Sequence, residues 1–208
     1  MYNLPSFLGV VPDTLANLKH MINFAIFNTP ITKMTEQLGF LTNLHYLYLH
    51  NCNLTNLPDL SGIPFLPDID FSYNQLSQVN GLNNVSRMTL AFNLFTDVPA
   101  IKNSKSLYWL QMTNNPVKNM LTITTYTNLQ CLYLQNTNIS SVPHNIDKLQ
   151  KLEYFYLNNN KLSSLPTNIL NLPNLQIFNI QNNLFPSSDI QIFQSRFNQT
   201  NPNITLYV

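Results

Sequence analysis

Asp68 and Asp70 stand two residues apart, the closest pair among only nine acidic side chains in the chain. In an extended segment residues i and i+2 share a face, so the two carboxylates would lie ~6.7 Å apart on one surface. Paired carboxylates can serve acid–base catalysis or hold a cation. Here no nucleophile or general-base pair accompanies them, and no calcium-binding loop is recognisable around them. A solvated acidic patch partnered by Arg87 is the plainer account. His20, His45, His50 and His144 show no metal-ligand spacing with Cys52 or Cys131, so neither a metal nor another cofactor is expected. The residues left to carry function are aromatic: Tyr46, Tyr48, Trp109, Tyr133, Tyr154 and Tyr156, with Gln111 beside them.

Composition narrows the classes. Charged residues make up 9% of the 208 positions, against about 25% in ordinary globular proteins. The formal net charge is +1, with no basic block, so nucleic acid and acidic membrane surfaces are excluded as partners. No apolar run approaches the ~20 residues of a membrane span, so this segment does not insert in a bilayer. The N-terminus lacks a basic start and a long apolar core, so no signal peptide is read there. The hydrophobic content of 44% is ample for a core.

What positions the aromatic residues is a repeat. Leu152-x-x-Phe155-x-Leu157-x-x-Asn160-x-Leu162 recurs as Leu175, Phe178, Ile180, Asn183, Phe185, and six further times towards the N-terminus. The copies start at 21, 44, 66, 85, 107, 129, 152 and 175, separated by 19 to 23 residues. Four continue to an apolar residue and proline: Leu57-Pro58, Val98-Pro99, Val142-Pro143 and Leu165-Pro166. The pattern resembles that of the leucine-rich repeat family, L-x-x-L-x-L-x-x-N/C-x-L, across essentially the whole chain. That resemblance implies an α/β repeat, a curved horseshoe-shaped solenoid with a concave parallel β-sheet and short helices or turns on the convex side.

The physics of the residues agrees. Each copy alternates apolar and polar side chains at strand period, then turns at proline. No copy can bury its apolar side alone, so stability must come from stacking neighbours. The ninth slot, usually asparagine, is expected to turn inward and bond backbone groups left open by the turn; Thr29, Cys52 and Thr137 would do so only in part. Residues 1–208 are read as one domain. Residues 1–20 form its N-terminal edge, with 1–12 the tail of a truncated repeat; 21–186 hold eight repeats; 187–208 hold an amphipathic helix and a last half-repeat. The short 66-to-85 spacing predicts a local irregularity.

In this frame slots four and six face the core, and slots three, five and seven face the concave side. Tyr46, Asp68, Arg87, Trp109, Cys131 and Tyr154 fall in slot three; Tyr48, Asp70, Gln111, Tyr133 and Tyr156 in slot five; His50 in slot seven. Tyrosine has high strand propensity and pairs laterally along a sheet. Tyr, Trp and Arg are also the residues enriched in binding hot spots, and here they concentrate on one face. Cys52 and Cys131, four strand steps or ~19 Å apart, cannot bridge. Cys52 reads as a buried substitute for asparagine and Cys131 as an exposed thiol.

Asn53, Asn84 and Asn138, with Asn198 and Asn203, begin N-x-S/T sequons and are candidate glycosylation sites. Their number is what such an asparagine-rich chain yields by chance. The scarcity of charge favours an extracellular or cell-surface protein over a cytoplasmic one. The expectation is a non-enzymatic module holding a protein or peptide on its concave face, within a receptor or adhesion protein. Two alternatives stay open: an intracellular scaffold docking an enzyme or small GTPase, and the substrate-selecting part of a larger enzyme.

Overall fold

The computed structural model describes residues 9–200 and 202–208. The start of the expected truncated repeat, residues 1–8, lies outside the described residues. Among the described residues nine short strands form one parallel sheet in chain order: β1 Asn23–Phe27, β2 Tyr46–His50, β3 Asp68–Asp70, β4 Arg87–Thr89, β5 Trp109–Gln111, β6 Cys131–Tyr133, β7 Tyr154–Tyr156, β8 Ile177–Asn179 and β9 Thr205–Tyr207. Every pairing keeps the repeat frame: Asn23 faces Tyr46, Tyr46 faces Asp68, Asp68 faces Arg87, and so on to Ile177 and Thr205. The sheet is open and the chain is a leucine-rich-repeat solenoid, as its pattern implies.

The core is the column of slots four and six. Leu47, Leu49, Ile69, Phe71, Leu110, Leu132, Phe155 and Phe178 are all completely buried. In β1, Phe24 and Ile26 are only partly buried. At the other end the helix α1, Ser187–Thr200, closes the core. Its Phe193 and Phe197 pack on Phe178 with ring centroids 6.4 and 6.0 Å away, and Phe197 is fully buried. The amphipathic spacing of 190, 193 and 197 thus becomes a lid over the last core layer.

The asparagine ladder holds copy to copy. Asn93 accepts the Leu76 N–H at 2.9 Å and donates to the Phe71 carbonyl at 2.8 Å. Asn74, Asn115, Asn160 and Asn183 repeat that bridge between neighbouring turns. Cys52 substitutes as a fully buried thiol, its Sγ donating towards the Ile26 and His50 carbonyls at 3.4 and 3.3 Å. Thr137 donates to the Leu134 carbonyl at 3.1 Å. Neither side chain offers the two-way amide of asparagine.

The convex side carries short 3₁₀ helices such as Glu36–Phe40, Leu121–Thr125 and Thr167–Asn171. The connections from β2 to β3 and from β3 to β4 contain none. The short spacing is absorbed there, while Asp68↔Arg87 keeps register. Gly81 makes the tighter return feasible. It adopts φ +75°, and a Cβ on it would lie 2.1 Å from the Ser61 nitrogen. Only glycine accepts both that conformation and that approach.

Candidate functional site

The concave face is a sheet surface three to five residues deep and nine strands wide. Strand pleating puts slots three and five of every copy on it, and parallel register lines them into columns. Tyr46, Tyr48, Asp68, Asp70, Arg87, Trp109, Gln111, Tyr133, Tyr154 and Tyr156 all lie in this register, none of them buried in the core.

The densest part lies in β5 to β7. Trp109 and Tyr133 have ring centroids 4.9 Å apart at 40°, and Tyr133 and Tyr156 stack at 5.0 Å and 11°. Rings packed side by side along the sheet form a continuous apolar surface across the three strands. Tyr154 donates its hydroxyl to Gln176 Oε1 at 3.1 Å, and Gln176 in turn donates to Glu153 at 2.8 Å. Trp109 Nε1 is buried without a hydrogen-bond partner among the described residues. Asn179 continues the slot-five column and faces Tyr207 of β9. Tyr207 is an exposed ring that the repeat frame did not assign to the site. Its signal was legible: Ile204 and Leu206 at strand spacing place Tyr207 beside slot five.

Burial lifts the Tyr133 hydroxyl to about 12, helped by the neighbouring Cys131, Tyr156 and Tyr154. Burial also raises Tyr156, with Tyr207 and Tyr154 adding to it. These phenols are therefore protonated, neutral donors across the physiological range.

Cys131 corrects an expectation. It lies on the concave face, yet it is only 8% exposed. Its register neighbours are Trp109 and Tyr154, whose large side chains shut a small one from solvent. Burial raises its thiol, with Glu153 contributing. It is not a reactive surface thiol.

Towards the N-terminus the face is acidic. Tyr48 is pushed up to about 12 by burial first, then by the charge of Asp68 and a hydrogen bond to it. Arg87 approaches Asp68 at 4.0 Å and lies over Trp109, its guanidinium carbon 5.3 Å from the ring centroid. His50 Nδ1 stands 3.6 Å from Asp70 Oδ2. No group of three or more His, Cys, Asp or Glu among the described residues is placed to hold a metal ion, and no described helix is long and apolar enough to cross a membrane.

Slot eight had been given no role by the repeat frame. All eight copies take a left-handed backbone there: Asn28, Asn51, Tyr73, Phe92, Asn114, Asn136, Asn159 and Asn182 have φ between 52° and 58°. Asparagine tolerates this conformation and explains why Asn159 follows Asn158 at the turn. Tyr73 and Phe92 break the rule, and they stack on each other with centroids 4.2 Å apart.

Of the sequons, Asn53 is exposed and Asn138 half-buried. Asn84 is half-buried, with its amide nitrogen donated to the Pro64 carbonyl at 2.9 Å. Asn53 is the one of these three whose side chain stands open.

Comparison with known proteins gives the same architecture. The family described as "Leucine Rich repeats (2 copies)" matches residues 127–169, and "Leucine Rich Repeat" matches 43–63. Bovine osteomodulin is 31% identical over 160 residues, covering 69% of this chain and 37% of that protein. The chain thus spans little more than a third of that relative's length. Among solved structures, the functional domain of InlJ from Listeria monocytogenes superposes over 92% of this chain and 40% of its own, with a TM-score of 0.75 at 20% identity. The plant peptide hormone receptor RGFR1, solved in complex with RGF2, covers 84% of this chain and 38% of its own, with a TM-score of 0.61 at 19% identity. At such identities the likeness is one of fold.

Proposed function

From the premise that the chain belongs to the leucine-rich repeat family, we propose that it is a non-enzymatic recognition module, one domain that holds a protein or peptide on its concave face. The observation that carries this is the Trp109–Tyr133–Tyr156 stack. From β2 to β8 slots four and six already bury the core, so packing does not require three large rings on the opposite side of the sheet. Aromatic side chains with neutral hydroxyls supply contact area and hydrogen bonds at little cost in conformational entropy. Tyr46, Tyr48, Tyr154 and Gln111 extend that surface, and Asp68, Asp70 and Arg87 orient what binds it.

An extracellular or cell-surface setting, within a receptor or adhesion protein, fits the scarcity of charge and the open side chain of Asn53. Glycan at Asn53, seen as a mass shift on deglycosylating the native protein, supports that setting; unmodified protein recovered from cytosol rules it out.

The binding test is a selection from a random peptide library displayed against the intact chain. Trp109→Ala and Tyr156→Ala should each weaken capture of the selected peptides by about tenfold to a hundredfold, the range of aromatic hot spots, with the solenoid still folded by circular dichroism. Undiminished capture by both variants would move the site off the concave face.

A further inference from the structure

A second row of rings runs along the C-terminal ends of the first four strands. Phe27, His50, Tyr73 and Phe92 follow one another with centroids 6.2, 5.0 and 4.2 Å apart. The first two are slot-seven residues; the last two come from slot eight, on left-handed backbone with φ of 58° and 55°. A bulky residue held there costs about 1–2 kcal/mol in backbone strain. In the same two copies slot seven shrinks to Ser72 and Ala91, each 3% exposed. The Tyr73 ring lies against the slot-seven ring of His50, and so enters the column that Ser72 leaves open. Ser72 Oγ has no hydrogen-bond partner among the described residues. The rings themselves remain 45% and 41% exposed.

Folding does not call for this arrangement. The other six copies place asparagine at slot eight, where it suits the backbone better. Two adjacent copies instead accept strain, and one an unpaired buried hydroxyl, to present a stacked aromatic pair to solvent.

Charge says what would cover it. Asp70 borders the row: its Oδ2 lies 3.6 Å from His50, and its Oδ1 accepts the Ser72 N–H at 2.8 Å. Asp68 stands on the same face. Against these two carboxylates the concave slots hold one full cation, Arg87, which is 4.0 Å from Asp68 and drawn over Trp109. No lysine occupies slot three, five or seven in any copy. The surface therefore has rings and surplus negative charge side by side, complementary to a planar cation.

We propose that the Phe27–His50–Tyr73–Phe92 row, with Asp70, seats an arginine side chain of the bound peptide. The guanidinium would lie against a ring of the row and pair with the Asp70 carboxylate, two interactions that arginine makes together and lysine makes less well. An apolar residue next to that arginine would cover Phe27 or Leu94, both exposed. The assignment rests on the concave face being the recognition surface.

The same random peptide selection tests it. Enriched peptides should carry arginine beside an apolar residue. Asp70→Asn, and separately the double variant Tyr73→Asn/Phe92→Asn, should each weaken their binding by about tenfold. The double variant restores the asparagine of the other copies, so its melting temperature should stay within a few degrees of the parent. Enriched peptides without a basic residue, binding indifferent to the double variant, or a melting temperature lower by about 10 °C or more would each overturn the proposal, the last by making the rings structural. Peptides that are lost with Trp109→Ala but kept by the ring variants sink this inference alone. A wild-type selection that enriches nothing sinks the recognition reading with it.

Discussion

The two halves of the concave sheet use aromatic residues in opposite ways. From β5 to β7, Trp109, Tyr133 and Tyr156 stand on ordinary strand backbone, Tyr133 and Tyr156 stacked face to face and Trp109 tilted against Tyr133, with burial raising the Tyr133 and Tyr156 hydroxyls further above their ordinary value. From β1 to β4, Tyr46 and Tyr48 also stand on strand backbone, but four further rings gather at the strand ends, two of them on strained turns, beside Asp70. The C-terminal stack is what tyrosine does readily in a sheet. The N-terminal row is held against the preference of the backbone. A feature maintained at a local cost says more about function than one the fold supplies freely.

Beneath both halves runs the same asparagine ladder, so breaking it should not tell them apart. Asn93→Leu would leave the Leu76 N–H and the Phe71 carbonyl without the partners they have now. Asn160→Leu would do the same to the Ile139 N–H and the Leu134 carbonyl. Each should cost about 2–4 kcal/mol, read as a drop in the urea midpoint and, at about 2–4 °C per kcal/mol, in the melting temperature. Near-equal losses are expected. A much smaller loss in one half would mean that the repeats do not share one mechanism of stability.

The rings should separate the halves. Tyr133→Ala removes a ring packed against both Trp109 and Tyr156 and should cost about 1–2 kcal/mol. Tyr73→Asn loses the stack on Phe92 and the tilted contact with His50, together worth about 1–2 kcal/mol, and regains about as much by relieving the left-handed strain. Its effect on stability should be close to zero. A loss at Tyr73 as large as that at Tyr133, measured by the same urea titration, would erase the distinction between a supplied and a maintained feature.

Most of the fold was legible because the repeat frame is read eight times over, and one weak copy cannot hide it. Strand positions, register, the ladder and the closing helix all follow from spacing. What escaped depended on side-chain volume and backbone conformation, which spacing does not encode. Cys131 has an exposed slot but large neighbours, Trp109 and Tyr154, so its exposure was misread. Nothing in the spacing singled out Tyr73 and Phe92, because the repeat frame gave slot eight no role. Only the left-handed φ at every slot eight shows that asparagine is there for its backbone, and therefore that a ring in its place is unusual. Tyr48, by contrast, was placed on the concave face by slot, though the influence of Asp68 on it needed coordinates.

Titration draws the finest contrast between the halves. Burial leads both Tyr48 and Tyr133 from the ordinary 10.0 to about 12. The folded chain thus holds these protons more tightly than the unfolded chain. Stability is unaffected below pH 10 and is lost progressively from about pH 10 to 12, where the unfolded state has ionised and the folded state has not. The urea midpoint should therefore be level on the near side of that window and decline across it. Replacing either tyrosine with phenylalanine should make the decline shallower. At neutral pH the two variants should differ. Tyr48→Phe removes a hydroxyl from beside the Asp68 carboxylate, whose charge it can meet as a donor. Tyr133→Phe loses only a contact with the thiol of Cys131, a weak acceptor. Tyr48→Phe should therefore lower the neutral-pH midpoint slightly and Tyr133→Phe should not, and the reverse order would mean that the acidic N-terminal half holds its tyrosine by packing alone.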